Sequence, residues 1–145
     1  MKPKFETVGE IKKENTLVTY ADSLIVKVAE DLAEKGWTGM PVVDREKRVI
    51  GMVSEQDLLK AFRSYEPLIF LDEIKVKEIM TMPPIVVDEN ATLQEASKIM
   101  EDARIHRLPV VKDGVLTGTV TGHDLLKAWL GMSVEEGADY QNNLF

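Results

Sequence analysis

The sequence predicts an α/β chain built from two β-α-β-β-α repeats that pack as a pseudo-twofold pair. Three features carry this. The stretch PVVDREKRVIGMVSEQDLLKAF at 41–62 returns as PVVKDGVLTGTVTGHDLLKAW at 109–129, with one residue of gap in the turn after each PVV. Both glycines (Gly51, Gly118) and both DLLKA runs recur, as they do after a tandem duplication. The match also reaches back at constant offset, with Val8, Glu10 and Ile11 falling on Val76, Glu78 and Ile79. The chain therefore divides into repeat one at 8–64, a linker at 65–75, repeat two at 76–131 and a tail at 132–145.

In repeat one, Leu17 to Thr19 is a short β-prone run, and Asp22 after it is a candidate helix cap. Leu24, Ile25, Val28, Ala29 and Leu32 follow at helical spacing, and Gly36 ends the helix. Trp37 to Val43 and Arg48 to Val53 are strands around the polar turn Asp44 to Lys47. Ser54 opens a second helix carried by Leu58, Leu59 and Phe62. Repeat two follows the same order. Ile85 to Val87 is a strand, and Thr92 with Glu95 has the form of a capping box ahead of Leu93, Ala96, Ile99 and Met100. Strands Leu108 to Val111 and Val115 to Val120 flank Asp113-Gly114, a strong hairpin signal, and Thr121 starts the last helix. Half a domain of this size cannot cover its own sheet, so the two copies are expected to share a buried face. The apolar side chains of the linker, Tyr65 to Leu71, are expected to lie against the body of the chain or to form a dimer surface.

Composition narrows the function classes. The absence of cysteine removes disulfides and thiolate metal sites. The longest apolar run, Pro67 to Leu71, is too short to cross a bilayer, and no signal-peptide core is present, so a cytoplasmic protein without a membrane role is expected. A net charge of −7, with no basic stripe, argues against nucleic acid as partner.

Chemistry concentrates in GMVSEQD (51–57) and GTVTGHD (118–124): a glycine, an apolar strand end, a hydroxyl residue, and an aspartate three positions on. Ser54 and Thr121 stand where a strand delivers them to a helix N-terminus, whose open N–H groups and dipole favour an anion such as phosphate. Asp57 and Asp124, one turn inward, suit the paired hydroxyls of a ribose. Phosphate with ribose means a nucleotide. The same spacing is also that of a capping box, which would do no more than close the helix.

On these residues the chain resembles tandem CBS domain pairs, often called Bateman modules, from about Val8 to Leu130. The resemblance implies two pseudo-symmetric clefts between packed sheets, binding AMP, ADP, ATP or S-adenosylmethionine. It implies phosphate contacts from His106 and Arg107, where repeat one has Thr38 and Gly39, so the half holding Thr121, Asp124 and Arg107 is the expected stronger anion site. The alternative for Arg107 is pairing with Glu101 or Asp102. It further implies that Ile11 to Leu17 and Met80 to Ile85 line the clefts, placing Lys13, Thr81 and Ile85 near ligand. Met40, Val53, Leu108 and Val120 are candidate walls or ordinary core. Homodimers of four repeats in a flat disc, with Leu58 to Phe62 and Leu125 to Leu130 at the contact, are implied as well.

His123 could reach a phosphate from the start of its helix or simply face solvent. The histidines show no metal spacing, and no carboxylate pair is poised for acid and base roles, so no catalysis is expected. The expected function is a stand-alone regulatory module that binds an adenosine ligand, with Mg²⁺ if the ligand is ATP, and signals to an unidentified partner. The alternatives are an interaction module with empty clefts, or a small hydrolase or transferase acting on the nucleotide.

Overall fold

The computed structural model describes residues 5–64 and 72–132. Each repeat contributes one three-stranded sheet and two helices. Repeat one supplies β1 (Thr19–Tyr20), α1 (Ile25–Lys35), β2 (Gly39–Val43), β3 (Val49–Ser54) and α2 (Glu55–Ser64). Repeat two supplies β4 (Val87–Asp88), α3 (Leu93–Ala103), β5 (Arg107–Lys112), β6 (Val115–Thr121) and α4 (Gly122–Trp129). The sheets run β1-β2-β3 and β4-β5-β6, the first pair of each parallel and the second antiparallel. The duplication extends to irregularities: the register shifts between Val42 and Val43 and again between Val110 and Val111.

Local chemistry accounts for most boundaries. Gly36 ends α1 in the left-handed region at φ 67°. The β5–β6 hairpin turns on Asp113 (φ 53°) and Gly114 (φ 82°), the pair of positive φ values that a two-residue primed turn needs. Thr92 caps α3, accepting from the Glu95 amide at 3.1 Å. Asp22 does not cap α1. The helix starts from Leu24 without a side-chain cap, and the Ile25 amide instead donates to the Ile74 carbonyl at 2.9 Å. Asp22 is exposed and pairs with Lys77 at 3.2 Å. The first strands also begin later than expected, at Thr19 and Val87, because pairing with β2 and β5 starts only there.

The chain packs as two units, and neither is a contiguous repeat. In unit one, residues 5–16 pack with 85–132; in unit two, residues 17–64 pack with 72–84. Unit one closes around Val8, Ile11, Val87, Ala96, Leu108, Val110, Val120 and Leu125, and unit two around Ile25, Val28, Met40, Val42, Val53, Ile74 and Val76. Met40, Val53, Leu108 and Val120 are thus core residues. On α2 the buried side chain is Ala61 and Leu58 packs partly buried against the unit-two core, while Leu59 and Phe62 are exposed. Of the linker, Tyr65 to Leu71 lies outside the described residues, as does the tail beyond Met132.

Candidate functional site

The opening segment of each repeat enters its unit by the same hydrogen bonds. In unit one, the Val8 and Gly9 amides donate to the Ala91 and Glu89 carbonyls at 2.9 and 2.8 Å. In unit two, the Val76 and Lys77 amides donate to Ser23 and Ala21 at 2.8 and 2.9 Å. Each segment then makes a two-way backbone bridge to the strand before a motif helix. Lys13 and Thr119 exchange bonds of 2.8 Å, and Thr81 and Met52 exchange bonds of 2.8 and 3.0 Å. The motif glycine permits this approach. A Cβ on Gly118 would lie 2.6 Å from the Lys13 carbonyl oxygen, and one on Gly51 would lie 3.2 Å from that of Thr81.

Two residues beyond each bridge stands the hydroxyl of the motif, and one helical turn further the acid. In unit one, Asp124 Oδ2 accepts from the Thr121 amide at 2.9 Å, and the Asp124 amide donates to Thr121 Oγ1 at 3.0 Å. In unit two, Asp57 Oδ2 accepts from the Ser54 amide at 2.9 Å and from Ser54 Oγ at 3.0 Å, while the Asp57 amide donates to Ser54 Oγ at 3.1 Å. Both acids therefore complete capping boxes through one oxygen. The other oxygen faces the opening segment. Asp124 Oδ1 pairs with Lys13 Nζ at 3.2 Å, and Asp57 Oδ1 accepts from Thr81 Oγ1 at 3.2 Å. Asp124 is 2% exposed, whereas Asp57 is only partly buried.

Arg107 lies opposite Thr121 on the β5–β6 ladder, as Gly39 lies opposite Ser54 on β2–β3. The expected grouping of Arg107 with Thr121 and Asp124 is therefore a cross-strand neighbourhood. Asp102 pairs with Lys98 at 2.8 Å. His106, just before β5, is exposed, and its carbonyl accepts from the Gly122 amide at 3.0 Å. With Met100, Glu101, Arg104, Ile105 and Gly122 it lines an open hollow of about 440 Å³. His123 is exposed in the first turn of α4, and Ile85 is 41% exposed. Among the described residues no cluster of histidine and acidic side chains could hold a metal ion, so nothing supports a Mg²⁺ site.

A family model described as "CBS domain" matches residues 8–64 and again 76–131. The chain belongs to the CBS domain family. Its similarity to individual CBS proteins covers most of the sequence. It is 32% identical over 151 residues to "CBS domain-containing protein CBSX1, chloroplastic" of Arabidopsis thaliana, with 86% of this chain covered and 64% of that protein. The chain thus spans about two thirds of that relative's length. It resembles the crystal structure described as CBSX2 in complex with AMP at a TM-score of 0.75 and 32% identity, covering 87% of this chain and 97% of that one. The CBS domain pair of protein MJ0100, described in complex with 5′-methylthioadenosine and S-adenosyl-L-methionine, shares the fold at a TM-score of 0.71 and 23% identity, over 86% of this chain and 96% of that one.

Sequence reasoning missed the partners of the two acids. The signal was present, because the offset that places Val8 on Val76 also places Lys13 on Thr81. It also missed Glu89, which accepts from Lys12 Nζ at 2.9 Å and from Thr117 Oγ1 at 3.2 Å. The hydrogen bond from Lys12 holds the Glu89 carboxyl below its ordinary range, against the opposing effect of burial.

Proposed function

We propose that this CBS pair is a regulatory module that binds an adenosine compound (AMP, ADP, ATP or S-adenosylmethionine) and passes its occupancy to a partner protein. The observation that supports this most is the likeness, at 32% identity, to a CBS structure described with AMP. Within the chain, the hydroxyl and acid heads of α2 and α4 offer carboxylate acceptors for a ribose diol. Arg107, His106 and His123 offer donors for phosphate near the Thr121 head. A ligand that favours one conformation of the chain over another shifts that equilibrium by the difference in its affinities, and no catalytic step is needed. The module is proposed to act in the cytoplasm as a homodimer, with exposed side chains of α2 and α4 at the contact.

A second reading has an observation of its own. Both acids close capping boxes, so the motifs could serve only to start helices in an interaction module without ligand. A thermal-shift screen of the four compounds separates the two. The expected result is a rise of about 5–10 °C at roughly a hundredfold excess over Kd. The double variant Asp57→Asn, Asp124→Asn should lose the rise, and Arg107→Ala should reduce it for the phosphorylated compounds. No rise with any compound at millimolar concentration rules out the sensing function.

A further inference from the structure

Resting on the adenosine-binding function above, we infer that the unit-two motif selects adenosine compounds without a phosphate group, and among them favours a cationic one such as the sulfonium S-adenosylmethionine. The head of α2 has few backbone donors to give a phosphate. The Ser54 amide donates to Asp57 Oδ2 at 2.9 Å, the Glu55 amide to the Thr38 carbonyl at 2.8 Å, and the Asp57 amide to Ser54 Oγ at 3.1 Å. Ser54 Oγ is engaged as a donor too, on Asp57 Oδ2 at 3.0 Å. Amides that could cradle an anion at a helix start are taken here, so the side chains around them decide the charge of the ligand.

Those side chains differ between the two copies in one direction. The Glu55 and Gly122 amides donate to the carbonyls of Thr38 and His106, and Gly39 and Arg107 lie opposite Ser54 and Thr121, so the positions correspond. Where unit one has His106, Arg107, Gly122 and His123, unit two has Thr38, Gly39, Glu55 and Gln56. Each exchange removes a cation, or a group able to become one, or adds negative charge. Lys60, within a turn of Asp57, is matched by Lys127 and does not separate the heads. Asp57 bonds to Ser54 and Thr81, Glu55 is exposed, and neither acid has an ion pair among the described residues. A phosphate beside these two acids meets like charge, whereas a 5′ sulfonium meets opposite charge. The diol keeps its acceptor, because the neutral, exposed Thr81 hydroxyl on Asp57 Oδ1 can give way to a ribose hydroxyl. Phosphorylated compounds are left to the unit-one head and its proposed donors.

Calorimetric titration of the full chain at low salt with AMP, adenosine and S-adenosylmethionine in turn tests this. Asp57→Asn keeps an oxygen for the Ser54 amide but loses the anionic acceptor, and it should weaken the tightest binding of adenosine and S-adenosylmethionine about 10–100-fold more than that of AMP. Glu55→Gln should weaken S-adenosylmethionine about 3–10-fold more than AMP, an excess that fades as salt is raised. Arg107→Ala should weaken AMP about tenfold more than S-adenosylmethionine. Equal effects on AMP and S-adenosylmethionine in any of the three variants overturn the inference and leave the adenosine-binding function standing. AMP as the only compound bound does the same. Heat from none of the three compounds would remove the binding function and the inference together. Should Asp57→Asn fail to fold, Glu55→Gln decides, since Glu55 is exposed and the change removes only its charge.

Discussion

A methyl group on Gly118 would meet the Lys13 carbonyl oxygen at 2.6 Å and its carbonyl carbon at 3.2 Å, both backbone atoms fixed by the two-way bridge to Thr119. Neither can give way without breaking that bridge, and with it the placement of Lys13 against Asp124. Gly118→Ala is therefore expected to destabilise the chain by about 1–3 kcal/mol in urea unfolding. Gly122 is the control. Its nearest neighbour would be Met100 Sδ at 3.8 Å, an ordinary contact, so Gly122→Ala at the start of α4 should be neutral or stabilise by up to about 1 kcal/mol. Equal losses at both positions would show that close approach is not what Gly118 serves. The recurrence of Gly51 and Gly118 was legible in the sequence, but the reason for it was not, because the atoms that exclude a side chain come from a distant segment. The same holds for Asp57 and Asp124. Their capping geometry follows from spacing along the chain, whereas the choice of lysine or threonine as partner depends on tertiary approach.

At the level of elements, the α1 end set by Gly36, the β5–β6 turn set by Asp113-Gly114 and the α3 start set by the Thr92 capping box could be read directly, since each depends on residues within one turn. The start of α1 could not. Its amide is satisfied by the Ile74 carbonyl, so the Asp22 signal lost to a backbone partner about fifty residues further along, at the end of the linker. The tie between the opening segment and the second sheet has the same long-range character. Lys12, Glu89 and Thr117 join three separate stretches, and the Lys12 hydrogen bond lowers the Glu89 pKa. A carboxyl whose folded pKa is depressed adds stability above its unfolded pKa and loses it as the pH falls through the folded value. The unaltered chain should therefore melt higher than Glu89→Gln at neutral pH, with the gap closing as the pH falls from the ordinary glutamate range through the lower folded value. Circular dichroism melts across that range check it. A gap that widens on acidification would contradict the assigned direction.

For the molecule as a whole, the sequence showed the repeats but not the packing units, because exchanging the opening segments leaves every local signal unchanged. Val8 and Ile11 belong to repeat one by sequence and to the core of unit one by contact. What lies outside both cores is equally informative. Leu59 and Phe62 on α2 are 53% and 56% exposed, and Leu126, Trp129 and Leu130, on α4 and at its end, are 57%, 72% and 61% exposed. Ala61 and Ala128 face inward on the same helices, so these larger side chains contribute little to the fold that holds them. Apolar faces of this kind, on equivalent helices, are the surface expected to pair in the proposed homodimer. Light scattering after size exclusion should give twice the 16.3 kDa chain mass at micromolar concentration. Phe62→Lys with Trp129→Lys should give the single-chain mass with little change in the chain's intrinsic stability, since exposed substitutions away from caps and cores usually cost within about 0.5 kcal/mol. An unaltered chain that runs as a monomer at every concentration would leave these faces without the proposed partner. A double variant that unfolds instead of dissociating would show that Phe62 and Trp129 support the fold itself.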